Sequence, residues 1–171
     1  MRRRDVLAAV AGAGGLAAGG WYVLGDGAGG RVSPVEVETI DARGSAAGTM
    51  RVPAPGQVTV VDVFSTGCAP CETETRRLDD VRGDLGDVRL VSVTNDAMGG
   101  TLTREDLRRW WRDNGGHWPV GLDDGGRLMR ELDVTGLPTL AVVDREGRLA
   151  WKHAGLVAER DLLEAVGRVD R

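Results

Sequence analysis

The chain has 171 residues, enough for one ordinary domain with a tail, and 42% of them are hydrophobic, which suffices for a single core. The formal charge is −4 and the basic residues are spread along the chain instead of forming a stripe, so composition gives no support to a nucleic-acid partner. The chain has only two cysteines, Cys68 and Cys71, so a zinc site would have to add His117 and His153, which do not show ligand-pair spacing.

In chain order, Arg2, Arg3 and Arg4 precede a run from Val6 to Gly25 that carries no charge. As a helix rising 1.5 Å per residue, that run would reach roughly 30 Å, the depth of a bilayer core. The arginines would stay on the cytoplasmic side, and Trp21 and Tyr22 lie where interfacial aromatics sit. The run is rich in Ala and Gly and therefore weakly hydrophobic. Behind RRRDVL it resembles a twin-arginine export signal, in which Arg3 and Arg4 are followed by one residue and then by Val6 and Leu7. Residues 1–25 are expected to export the protein or anchor it to a membrane, residues 26–33 (DGAGGRVS) to form a flexible linker, and residues 34–171 to form a domain working outside the cytoplasm.

The domain opens with VEVETI (Val35 to Ile40), which alternates as a strand does, and TMRVP is its expected hairpin partner. QVTVVDVFS (Gln57 to Ser65) is β-branched and almost continuously apolar, the pattern of a strand buried on both faces, with Asp62 as its only acid. From Ala69 the pattern turns helical to about Arg82, and DVRLVSV (Asp87 to Val93) is a second buried strand, so the unit predicts two parallel strands joined by a helix. TREDLRRWWRDN (Thr103 to Asn114) predicts a helix capped by Thr103 with Asp106 three residues on, ended by Gly115 and Gly116. Of its adjacent Trp110 and Trp111, one is expected in the core, the other exposed or facing a partner. GGRLMREL predicts a short helix, LPTLAVVD and RLAWKHAG a hairpin, and Ala158 to Val169 a last helix. This order describes an α/β three-layer sandwich with a mixed sheet.

The cysteines stand in FSTGCAPC, between a buried strand and the first turn of a helix. Unsatisfied N–H groups and the helix dipole stabilise a thiolate there, so the Cys68 thiol is expected to be acidified and nucleophilic. Cys71, one turn on and less exposed, can reach back to resolve a mixed disulfide. Pro70 sits within the first turn, where its missing N–H costs nothing. Closing so short a loop restrains the unfolded chain little, which argues against a purely structural bridge. Two alternatives stay open: a Cu(I) carrier for an oxidase that adds His153 to the thiols, and a redox-inert adaptor.

VVDVFSTGCAPCETE, followed much later by VTGLPTLAVVD, resembles the active site of the thioredoxin superfamily. Within it the chain is most similar to the membrane-tethered, extracytoplasmic thiol-disulfide oxidoreductases of the TlpA-like group. The resemblance implies that Pro138 is the family's cis-proline, packed against the cysteine pair. It implies that Leu137 offers backbone hydrogen bonds to a substrate, with Gly67, Ala69 and Pro70 completing the substrate-facing surface. Asp62 matches the buried acid beneath the pair and Glu74 the helix glutamate of extracytoplasmic reductases. Either, if buried, would have a raised pKa and could take the Cys71 proton; a solvated helix residue is the plain alternative for Glu74. His117 and Trp118, before Pro119, resemble a structural aromatic-proline loop, and His153 reads as a surface residue. The resemblance further implies protein disulfide or dithiol clients, an upstream membrane-bound redox donor, no separate cofactor and no bound metal. It favours a reductase, as in cytochrome c maturation. Gly67 departs from the family, whose members usually carry tryptophan there, and this should uncover Cys68.

Overall fold

A computed structural model of the protein describes residues 29–170. The expected export signal or anchor, residues 1–25, and residues 26–28 of the expected linker lie outside the described residues. Among the described residues, no helix is long and apolar enough to cross a membrane.

Seven strands, β1 (Val35–Thr39), β2 (Gly48–Val52), β3 (Thr59–Phe64), β4 (Arg89–Thr94), β5 (Val120–Leu122), β6 (Thr139–Val143) and β7 (Leu149–Ala154), form one sheet in the order β2-β1-β5-β4-β3-β6-β7. Among the described residues, four α-helices accompany it: α1 (Ala69–Val81), α2 (Arg104–Asp113), α3 (Arg127–Glu131) and α4 (Glu159–Val169). β3 and β4 run parallel, as the strand-helix-strand pattern predicts, while β6 pairs antiparallel with both β3 and β7. The mixed sheet and its flanking helices are those of a thioredoxin-like sandwich.

One strand has no periodic pattern of its own in the sequence. β5 is only three residues long, too short to show an alternation, and it exists because β4 pairs with it in parallel and β1 in antiparallel. It joins the N-terminal hairpin to the main sheet. Gly121 allows this, because a Cβ there would come within 2.5 Å of Val37. Ahead of Pro34, Val32 is 2% exposed and its N–H bonds to Gly147 O at 2.8 Å, so the packed chain includes residues before β1.

The two faces of the sheet carry separate cores. Val58, Val60 and Phe64 lie in one cluster with Cys71, Leu78 and Val81 of the α1 side, Leu107 and Trp111 of α2, and Leu162 and Val166 of α4. Val61 and Val63 lie in the other, against Leu128 and Leu132 at α3. Since strand side chains alternate, Asp62 falls on the Val60 and Phe64 face, under α1. Burying a chain of this kind on both faces is worth about 1.5–3 kcal/mol per fully buried Val, Leu or Phe, which is why β3 tolerates one acid but not several.

α2 carries the expected cap: Asp106 N donates to Thr103 Oγ1 at 3.1 Å and Thr103 N to Asp106 Oδ2 at 3.0 Å. Trp111 is fully buried and its indole donates to Arg43 O at 3.0 Å. Trp110 is not on an open face; it is half-buried and stacks on Phe64 with centroids 4.9 Å apart. The turn after α2 needs Gly116, since a Cβ there would lie 2.1 Å from the Trp111 ring.

Candidate active site

β3 delivers the chain at Phe64 into the loop Ser65-Thr66-Gly67, and Cys68 caps α1. Cys68 and Cys71 form a disulfide with an S–S distance of 2.05 Å and a Cα–Cα distance of 5.2 Å. The Cys71 backbone N–H is directed at Cys68 Sγ, 3.3 Å away. On reduction that donor and the helix N-terminus face the sulfur that would carry charge. Cys71 is wholly buried and Cys68 half-buried, so an incoming disulfide meets Cys68 first. Gly67, Ala69 and Pro70 are exposed around it, and Pro70 occupies the first turn of α1. Only Ser65 Oγ, at 4.0 Å, approaches a Cβ placed on Gly67.

Both acids singled out by sequence are buried, Asp62 on β3 and Glu74 on the buried face of α1. Asp62 is 1% exposed and its pKa is pushed up to about 7: burial raises it most, a Ser92 hydrogen bond lowers it, and the nearby Glu74 charge raises it further. Ser92 Oγ donates to Asp62 Oδ2 at 2.7 Å, and no described residue bonds to Oδ1. Glu74 is 2% exposed, so the solvated reading of it fails. Its Oε2 accepts from Val157 N at 3.0 Å. Burial raises its pKa, against lowering by the Val157 bond and by Arg77. Arg77 itself donates to Val157 O at 3.0 Å, so helix α1 and the turn after β7 are tied at this point.

The Leu137–Pro138 peptide is cis. Val63 pairs with Thr139, so one residue on, Pro138 lies alongside Phe64 where the cysteine loop departs. Gly155 N donates to Pro138 O at 2.7 Å, bringing the turn after β7 to the same end of the sheet. Leu137 is half-buried and Pro138 buried. A second cis peptide, Val52–Pro53, lies on the far edge strand.

Two site residues were not singled out from the sequence. Asp96, just past β4, accepts from Ser65 Oγ at 2.7 Å, Thr66 N at 2.8 Å and Thr66 Oγ1 at 2.8 Å. Burial alone would raise its pKa, but the bonds from Thr66, Ser65 and Thr94 outweigh it and hold the carboxyl below its usual range. It fixes the loop leading into Cys68. Ser92 sits opposite Asp62 in the β3–β4 register. The available signals were a polar residue at the carboxyl end of a buried strand, where α/β sheets build their sites, and a serine in an otherwise apolar run.

His117 is exposed beside Arg82, Trp118 is buried, and His153 on β7 stacks against Trp151 with centroids 6.0 Å apart. Among the described residues, no group of three or more His, Cys, Asp or Glu could hold a metal ion.

Known proteins resemble this chain in sequence and in fold. The Redoxin family profile matches residues 37–166. The thiol:disulfide interchange protein DsbE of Vibrio cholerae is 25% identical over 112 residues, 65% of this chain and 57% of that protein. The sporulation thiol-disulfide oxidoreductase A of Bacillus subtilis is 21% identical over 113 residues, 66% of this chain and 68% of that one. The chain thus spans little more than half the length of the first of these relatives. The crystal structure of StoA from Bacillus subtilis superposes with a TM-score of 0.65 at 20% identity, covering 78% of this chain and 96% of that one, and is alike in fold.

Proposed function

The chain belongs to the Redoxin family, and on that premise we propose that it is an extracytoplasmic thiol-disulfide oxidoreductase that reduces disulfides in other proteins. The observation carrying this reading is the Cys68–Cys71 disulfide at the start of α1, with the inner cysteine buried and two acids, Asp62 of β3 and Glu74 of α1, also buried. Cys68, the half-buried sulfur, attacks the client disulfide as a thiolate and forms the mixed disulfide. Cys71 then attacks Cys68 Sγ, releasing the client thiol and restoring the internal disulfide. Cys71 must lose its proton to attack, and a carboxylate with a pKa near the working pH is a suitable acceptor. Asp62 takes that part, and Glu74 sets its environment as a neighbouring charge. Leu137 and Pro138, with Gly67, Ala69 and Pro70, form the face on which the client segment lies.

The reductase direction is the one that the TlpA-like resemblance favours. A proton acceptor near Cys71 is compatible with it, since it would serve disulfide formation within the pair, the half-reaction in which a client is reduced. The names of the relatives, an interchange protein and a sporulation oxidoreductase, support thiol chemistry on proteins. Export by residues 1–25, retention at a membrane, re-reduction by a membrane-bound donor and a place in cytochrome c maturation complete the proposal, resting on the RRRDVL segment and the TlpA-like resemblance.

Thiol trapping tests it. Cys71→Ser should accumulate mixed disulfides with protein clients, and Cys68→Ser should trap none. Equilibration with glutathione buffers should give one two-electron transition. A midpoint near the thioredoxin value of about −270 mV supports a reductase, whereas one near about −120 mV marks an oxidant and overturns the direction. Trapping by Cys68→Ser alone overturns the assignment of the nucleophile.

A further inference from the structure

Beneath the cysteines, a chain of buried hydrogen bonds ends on Asp62. Trp118 Nε1 donates to Ser92 Oγ at 2.9 Å, and Ser92 Oγ donates to Asp62 Oδ2 at 2.7 Å. All three residues are buried, at 5%, 0% and 1% exposure. An indole N–H can only donate, and a serine hydroxyl has a single hydrogen. The indole therefore occupies an acceptor position of Oγ, and the hydroxyl hydrogen is committed to Asp62. The direction Trp118 to Ser92 to Asp62 is fixed by the donor inventory.

The elements involved hold this direction in place. Ser92 stands opposite Asp62 in the parallel register, and its N–H bonds to Pro119 O at 3.0 Å, beside Trp118. The Trp118 ring meets Trp111 edge-on, with centroids 4.9 Å apart, and Trp111 is itself tied to Arg43 O. Protonation of Oδ2 would turn the Ser92 hydrogen away into an apolar layer, leaving a buried donor unsatisfied. Oδ1 accepts from no described residue and is free of that conflict.

We infer that Trp118 and Ser92 are positioning residues for the exchange reaction, holding Asp62 Oδ2 as a hydrogen-bond acceptor so that Oδ1 is the oxygen that takes the Cys71 proton. This rests on the reading of Asp62 as proton acceptor. The Cys71 S–H bond breaks and an O–H bond forms at Asp62 Oδ1. The Cys71 thiolate attacks Cys68 Sγ, and the bond from Cys68 to the client sulfur breaks. The client leaves as a thiolate, having gained two electrons in the overall exchange, and the cysteine pair is oxidised by two. Among the described residues, Glu74 of α1 is the charged group that acts on Asp62, and Cys71 lies in the core cluster on the same face of the sheet. β4 contributes Ser92 and β6 contributes Leu140, and neither titrates in this range.

The test is a carbon NMR titration of the Asp62 carboxyl in the reduced, full-length chain in mild detergent, together with the pH–rate profile of client reduction. Ser92→Ala should move the Asp62 midpoint up by about one pH unit, since the ionised form loses its hydrogen bond. Ser92→Thr, which keeps the hydroxyl, should restore it. Trp118→Phe should move it in the same direction by less. In the unaltered protein the Trp118 indole proton resonance should shift with the same midpoint, which needs no variant to fold. An Asp62 midpoint unchanged in Ser92→Ala, or an indole resonance indifferent to it, overturns the inference. Asp62→Asn separates this from the underlying reading. If it leaves the pH–rate profile unchanged, Asp62 is not the acceptor, and the assignment of Oδ1 falls for that reason even where the titrations behave as expected.

Discussion

Asp62→Asn should make the stability of the protein less dependent on pH, and the size of the effect follows from the site. The carboxyl has a pKa of 3.8 in the unfolded chain and about 7 in the folded one, mainly because burial disfavours its charge. Below pH 3.8 both states hold the proton and Asp62 contributes no pH dependence. Between 3.8 and 7 the unfolded chain gives up the proton while the folded one keeps it, so the folded state loses stability as pH rises. Above 7 the penalty is complete. A shift of about 3 pH units at 1.36 kcal/mol each gives about 4 kcal/mol. Asp62→Asn removes that penalty. It keeps an oxygen to accept from Ser92 but buries an amide hydrogen-bond donor, which costs about 1–3 kcal/mol at every pH. The variant should therefore be the less stable protein at pH 4 and equal or superior at pH 8.5. Urea unfolding of both proteins in the disulfide form at the two pH values measures the difference, including the part that comes through the coupled Glu74. A stability difference that is the same at pH 4 and pH 8.5 would refute a raised Asp62 pKa, and with it the proton acceptor.

Glu74→Gln removes a charge that raises the Asp62 pKa while keeping an oxygen for Val157 N, so the inflection in the pH–rate profile should move to lower pH. An upward or absent movement counts against coupling between the two acids. Asp96→Ala strips the acceptor from Ser65 Oγ, Thr66 N and Thr66 Oγ1. Denaturant unfolding should report a loss of about 1–3 kcal/mol and stopped-flow exchange a slower reaction with clients. Gly116→Ala drives a Cβ to within 2.1 Å of the Trp111 ring, and overpacking of that kind should cost about 1–3 kcal/mol, seen as a lower melting temperature. A Cβ at the exposed Gly67 meets only Ser65 Oγ, at 4.0 Å, so Gly67→Trp should change unfolding by less than about 0.5 kcal/mol while exchange with bulky protein clients slows. Unchanged client rates would show that the glycine does not govern access to Cys68.

The sequence alone determined the parts whose signals are local. Apolar continuity in QVTVVDVFS marked β3, the Thr103 and Asp106 pair marked the start of α2, and the two-residue spacing of Cys68 and Cys71 put both sulfurs on one turn at a helix start. Each follows from dihedral preference, side-chain period or capping, which act over a few residues. The acid in β3 was also legible, because an isolated carboxyl in an apolar strand demands a reason.

Only the tertiary structure decided what depends on residues distant in the chain. β5 is too short to carry a pattern and is a strand by virtue of β1 and β4 on either side. Glu74 shares the helix face of Cys71 and Leu78, which sets it apart from Glu72, but its hydrogen-bond partner is Val157, 83 residues later. Asp96 became part of the site because β3 and β4 lie in register, which sets its carboxylate against Ser65 and Thr66. The same register brings Ser92 to Asp62, and the turn into β5 brings Trp118 to Ser92. Propensity and period specify the backbone locally, whereas burial and hydrogen-bond partnership, which set a carboxyl's protonation, are properties of packed neighbours.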